Sequence, residues 1–161
     1  MAIPKHVLYS ERQPFTILVM IMITVIIVVL STSLLVERGV DDTESNLTLA
    51  VMSIMFVGIL LVFRELRIEL TETELWFGFW KFGKRVPLDS VEECSMHPIK
   101  WGNYMGMGIR RGWDGSWCYN TRFGQAIRVK IKDKKSFYVV TVDKPEKLVS
   151  LVNERIKRRA K

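Results

Sequence analysis

Two apolar stretches near the start of the chain, Phe15 to Val36 and Leu47 to Phe63, constrain its fold more than any other feature. No charged residue falls between Arg12 and Glu37, and none between Glu44 and Arg64. The first stretch has 22 residues and, at the ~1.5 Å rise of a helix, extends about 33 Å. The second has 17, at the short end of the ~17–25 residues that a spanning helix needs. A globular core rarely surrounds so long an uncharged run with apolar partners on every side. In lipid, by contrast, a helix satisfies its own backbone. The pattern predicts a transmembrane helical hairpin over residues 15–63, with spans at 15–36 and 47–63. A short, mostly irregular arm, residues 1–14, precedes it, and one domain, residues 64–161, follows.

Charge sets the expected orientation. The connecting loop from Glu37 to Glu44 holds Arg38 against Glu37, Asp41, Asp42 and Glu44, while Lys5, Arg12, Arg64 and Arg67 flank the hairpin. Lys and Arg collect on the cytoplasmic side of a span, so the reading is an integral protein of the plasma membrane with both termini cytoplasmic. A secretory signal has an apolar core of only ~7–15 residues, and the first stretch is longer. Neither stretch contains an ionisable side chain, the usual mark of transport or proton relay. Thr24, Ser31, Thr32 and Ser33 are expected to bond back to helix carbonyls. The spans then serve as an anchor, or as surfaces for other helices.

The remaining 98 residues suffice for one small domain. They hold 21 Lys and Arg against 12 Asp and Glu, within a chain whose net charge is +7. A basic domain beside an anionic leaflet finds lipid as its nearest polyanion, so membrane lipid is expected as a partner and nucleic acid is not. Cys94 and Cys118 are read as free thiols, as in a reducing compartment.

From Leu66 onward the apolar period becomes two. Ile68 and Leu70, then Leu75, Phe77 and Phe79, alternate with polar or outward positions, as half-buried strands do. Lys81-Phe82-Gly83-Lys84 reads as a hairpin tip with Gly83 at positive φ. Leu88 to Val91 reads as a brief turn before Glu92 to His97 extends. Ile127, Val129 and Ile131 run into a turn at Lys132–Lys135, and Phe137, Val139 and Thr141 run back. An amphipathic helix closes the chain: Asp143 is the expected N-cap, Pro145 and Glu146 fit the first turn, and Leu148, Val149, Leu151, Val152 and Ile156 form its apolar stripe. The sum is six or seven strands and one helix, a sandwich or barrel with the helix plugging an open end.

Three segments carry a resemblance. Tyr104-Met105-Gly106-Met107-Gly108-Ile109-Arg110, the Gly124 to Val142 hairpin, and the helix start Asp143-Lys144-Pro145-Glu146-Lys147-Leu148 look like those of small prokaryotic two-span membrane proteins with a pleckstrin-homology-like domain. The resemblance implies a partly open β-barrel capped by the C-terminal helix, and no enzyme. Pleckstrin-homology domains that hold inositides use basic residues between their first two strands. Here that loop is Thr71-Glu72-Thr73-Glu74, which is acidic.

Chemistry-bearing motifs are sparse. The pair Cys94 and His97 lacks the further ligands of a structural zinc site, which usually has four. The glycines between Gly102 and Gly115 lie among tryptophans with no phosphate loop, and two histidines assemble no nucleophile–base set. No catalytic residue, metal or cofactor is expected. Trp101 to Trp117 is rich in the aromatic and Arg types that dominate interfaces. Trp101 and Trp117 are assigned to the core, and Arg110, Arg111 and Trp113 to a partner surface. Lys81, Lys84 and Arg85, with Trp80 at the bilayer interface, form a candidate lipid site. The functional expectation is a non-enzymatic, membrane-anchored interaction module, an accessory subunit binding a membrane-protein partner or a second copy of itself. The alternative is a peripheral sensor of anionic headgroups working through the basic hairpin tips.

Overall fold

Leu66, Ile68 and Leu70 alternate with Glu65, Arg67 and Glu69, and a strand sends successive side chains to opposite faces. The three apolar residues are accordingly fully buried in strand β2 (Glu65–Thr71). The structure, a computed structural model, describes residues 6–16, 20–26, 29–30, 43–104 and 106–160. It divides into two compact units, Met1–Pro14 with Glu65–Lys161, and Phe15–Arg64.

In the first unit, β1 (Val7–Pro14), β2, β3 (Glu74–Phe79) and β4 (Phe82–Pro87) form an antiparallel sheet in that order. A 3-10 turn at Leu88–Ser90 leads to β5 (Val91–Met96), then to the short helix α2 (Trp101–Tyr104) and strands β6 (Gly108–Arg111), β7 (Trp117–Asn120), β8 (Ala126–Ile131) and β9 (Phe137–Thr141). Calling the helix of the other unit α1 (Thr43–Phe63), the C-terminal helix over Pro145–Ala160 is α3, with α2 between them. The second sheet runs β5-β8-β9-β7-β6, and its β7–β9 pair is parallel.

Phe77, fully buried at the middle of β3, meets Tyr119 of β7 edge-on at 5.1 Å and Tyr138 of β9 at 5.5 Å between ring centroids. These aromatic contacts join the two sheets. A second cluster, Ile99, Tyr104, Cys118, Ala126, Phe137 and Val139, packs beside Phe123. Helix α3 buries Leu148 and Val152 and packs on β5, β8 and the 3-10 turn. Its Asn153 donates to the Cys94 carbonyl at 2.9 Å and accepts from the Cys94 amide at 3.4 Å, so one side chain satisfies both backbone groups of an edge-strand residue.

Four expectations are corrected. Among the described residues no helix is long and apolar enough to cross a membrane, so the transmembrane helical hairpin is not supported. Absence of charge is necessary for a span but not sufficient. A span also needs a continuous apolar helix of the right length. The integral-membrane assignment, with both termini cytoplasmic, is unsupported for the same reason. Among the described residues, nine strands in two sheets replace the partly open barrel of six or seven capped by a helix. Finally, the arm is not irregular: Val7 to Pro14 pairs along β2 as an edge strand.

Thr24 does donate its hydroxyl to the Met20 carbonyl, at 3.0 Å. Ser31, Thr32, Ser33, loop residues 37–42, Met105 and the Trp101 side chain lie outside the described residues.

Candidate functional site

The β3–β4 hairpin turns two residues earlier than its sequence suggests. Phe79 pairs with Phe82, leaving Trp80 and Lys81 as the turn. Trp80 itself takes the positive φ, +43°, a conformation uncommon outside glycine, Asn and Asp. Gly83 lies instead within β4, opposite Gly78. The reason is close approach. A Cβ on Gly78 would strike the Gly83 backbone, and one on Gly83 would come within 2.6 Å of the Trp76 ring. The paired glycines let two strands and an indole share one spot.

The turn splits the proposed lipid residues between two faces. Register puts Phe82 and Lys84 opposite Phe79 and Phe77, and Arg85 opposite Trp76. Trp80, Lys81 and Arg85 border a groove of about 540 Å³ on the outer face of the first sheet, whereas Lys84 does not. Trp80 is 55% exposed and Phe82 56%, with the Lys81 ammonium 4.9 Å from the Trp80 ring centre. Trp76, Glu69, Arg67 and Gly83 complete the groove's main lining. These went unassigned at the sequence level, although Trp76 sits between Leu75 and Phe77, on the outward phase of its strand.

Arg110 and Arg111 are exposed on β6, the outermost strand of the second sheet. Arg110 donates to the Met107 carbonyl at 3.1 Å. Past the strand, Asp114 Oδ1 accepts the Ser116 amide at 3.0 Å and its hydroxyl at 2.5 Å, and the Ser116 hydroxyl also meets the Tyr104 hydroxyl at 3.0 Å. Gly112 donates to the Ser116 carbonyl at 2.9 Å. This locked turn holds Trp113 83% exposed. Burial acts to raise the Asp114 pKa, but the hydroxyl and amide bonds from Ser116 outweigh it and hold the carboxyl below its ordinary value. Trp117, assigned to the core, is 41% exposed. Among the described side chains of this segment Tyr104 is the buried aromatic, and burial raises its pKa.

A third set of polar side chains ties β1 to the end of β9. Buried Gln13 donates to the Thr141 carbonyl at 3.1 Å and accepts from the Thr121 hydroxyl at 3.0 Å. Glu11 accepts from Tyr9, from Gln13 and, at 2.7 Å, from the Asp143 amide. The Asp143 carboxylate pairs with Arg122, and α3 begins at Pro145. Asp143 is therefore an ion-pair partner of the β7–β8 connection, and its amide is satisfied from β1.

The potential nucleophiles are sealed. Burial, with smaller contributions from Glu93 and Asp114 respectively, pushes the Cys94 and Cys118 thiols up to about 12. The thiolate fraction at pH 8 is then about 1,000-fold below that of an ordinary cysteine. Neither thiol is expected to react with iodoacetamide in the native protein at pH 8, while both react in denaturant. Mass spectrometry of the labelled chain checks this. The sign of the linkage follows: the folded state keeps protons that the unfolded state loses above its pKa near 9, so these thiols subtract stability as pH rises from about 9 toward 12.

A family model described as "Protein of unknown function (DUF3093)" matches residues 8–152, from β1 to the middle of α3. The chain belongs to the DUF3093 family. No curated protein matches it, and no solved structure does. The matched range includes the DUF3093 protein's Trp113 loop and every groove-lining residue except Val7.

Proposed function

We propose that this DUF3093 protein is a non-enzymatic interaction module whose β6 edge and Trp113 loop bind an extended, acidic segment of a partner protein. The observation that carries this reading is the unlike treatment of the second sheet's two edges. On β5, Asn153 of α3 occupies both backbone groups of Cys94. Among the described residues, no strand pairs with the outer side of β6. An open edge offers backbone for strand addition, and Arg110 and Arg111 on it favour carboxylates. Trp113, held out by the Asp114–Ser116 lock, supplies the large aromatic anchor typical of hot spots. The sealed thiols and the buried, doubly bonded Ser116 support a role without covalent chemistry.

Installing a photo-crosslinking benzophenone amino acid at position 113 of the full chain in its native cells should trap one protein partner, and Arg110→Glu should abolish the product. With that partner purified, Trp113→Ala should weaken binding about 30-fold and change stability by under about 0.5 kcal/mol. Unchanged binding in the Arg110→Glu, Trp113→Ala double variant removes the surface from consideration.

A second reading rests on the β3–β4 hairpin, where two half-exposed aromatics and three exposed cations crowd one tip. Such a tip suits peripheral contact with anionic headgroups. Vesicles of phosphatidylglycerol should then bind the full chain with an affinity that falls steeply with salt, and Lys81→Glu, Lys84→Glu, Arg85→Glu should abolish it. Salt-independent binding sinks this reading.

A further inference from the structure

The outer face of the first sheet presents a flat aromatic floor with hydrogen-bonding groups on either side of it. In the row Glu69, Trp76, Arg85 each residue sits directly across from the next on strands β2, β3 and β4. Adjacent strands lie ~4.8 Å apart, so Glu69 and Arg85 arise about 10 Å from each other with Trp76 on the strand between them. Among the described residues neither Glu69 nor Arg85 has an ion-pair or hydrogen-bond partner, whereas neighbouring Arg67 is held by Glu65. The indole itself packs over Gly83, where the missing Cβ leaves room for it. Trp80 stands at the hairpin end of the same groove, whose volume of about 540 Å³ falls within the ~300–1,000 Å³ of small-molecule sites.

We propose that this groove binds an uncharged saccharide, one sugar ring lying flat on Trp76 with its hydroxyls bridging Glu69 and Arg85. The chemistry selects the ligand class. A carboxylate only accepts hydrogen bonds and a guanidinium only donates them, while each sugar hydroxyl does both, so neighbouring hydroxyls satisfy the two flanks at once. The electron-rich face of an indole attracts the electropositive C–H groups on one side of a pyranose. A phosphate or sulfate on the same floor meets Glu69 and Glu74, and an organic cation meets Arg67, Lys81 and Arg85. The mixed rim thus disfavours net charge of either sign and suits a neutral polyhydroxyl ring. This site is separate from the β6 edge. It shares Trp80, Lys81 and Arg85 with the lipid reading, but not Lys84 or Phe82.

Titration of the full chain with maltotriose, cellotriose and N,N′-diacetylchitobiose, followed by intrinsic tryptophan fluorescence and saturation-transfer NMR, tests the proposal. At least one probe should saturate with a Kd of about 1 mM, the range expected of a shallow, open site. Glu69→Gln and Trp80→Ala should each weaken binding about tenfold. Salt at about 0.5 M should leave the affinity unchanged, since no ion pair forms with an uncharged ligand. Trp76→Ala removes the floor but also unpacks Gly83, so the groove-rim variants carry the test. The proposal is overturned if no probe binds at about 50 mM, if Glu69→Gln binds like the wild type, or if the sugar signal moves with Lys84→Glu instead. It also fails if inorganic phosphate or phosphatidylglycerol vesicles displace the sugar and bind more tightly than it does.

Discussion

Phe77→Ala is expected to destabilise the β domain by about 3–5 kcal/mol, the range for truncating a buried aromatic without collapse of its surroundings. Phe77 is completely buried, and its ring joins β3 to Tyr119 and Tyr138 in the opposite sheet. The substitution leaves a cavity between two sheets, each held in register by its own strand pairs, so the void cannot close by moving one side chain. With total stabilities of about 5–15 kcal/mol for single domains, such a loss brings the variant close to unfolding at 37 °C. Urea denaturation followed by tryptophan fluorescence gives the number. Phe77→Leu, which keeps most of the volume, should lose much less, and equal losses would show that the ring contacts and the cavity are not the cause.

Gly78→Val should cost about 3 kcal/mol, at the upper end of what overpacking does. The obstacle here is main chain: the added Cβ falls inside contact distance of the Gly83 Cα and 2.6 Å from the Phe82 carbonyl oxygen. A flexible side chain can swing aside, whereas a paired strand moves only by giving up its ladder. The variant is expected to open the β3–β4 hairpin and release Trp76 from Gly83, giving a red-shifted, more quenchable tryptophan emission before any global transition. Gly83→Ala should perturb the same emission with a smaller loss, because the atoms it meets first belong to the Trp76 ring. Unchanged emission in Gly78→Val would mean that the indole does not depend on the glycine pair.

What was legible in the sequence was what local periodicity encodes. Leu75, Phe77 and Phe79 announce their strand because one face is sealed. Ile127, Val129 and Ile131 do so for β8, and Leu148 and Val152 mark the stripe of the last helix. What was not legible depends on partners far away in the chain. Nothing near Val7 to Pro14 signals a strand, since β1 exists only by pairing with residues more than fifty positions later. The parallel β7–β9 pair leaves no turn signature to read. Gly83 looked like a turn residue because glycine serves both tight turns and close packing, and only Trp76, which lies opposite Arg85 two positions on and leans over Gly83, decides between them. At the candidate sites, exposure of Arg110, Arg111 and Trp113 followed from composition. The split of Lys84 from Lys81 and Arg85 required register, and the polar knot of Glu11, Gln13, Thr121 and Thr141 required the tertiary fold.

The pairing of Pro14 with Glu65 makes residues 15–64, in effect, the connection of a β1–β2 hairpin. During synthesis at ~5–20 residues per second, β1 emerges about three to ten seconds before the first residues able to pair with it. It cannot template the sheet; it must wait for it. Assembly of the β domain is thus expected to begin within β2–β4, whose strands are neighbours in time as well as in space, and to end when the earlier-made β1 returns to complete the edge.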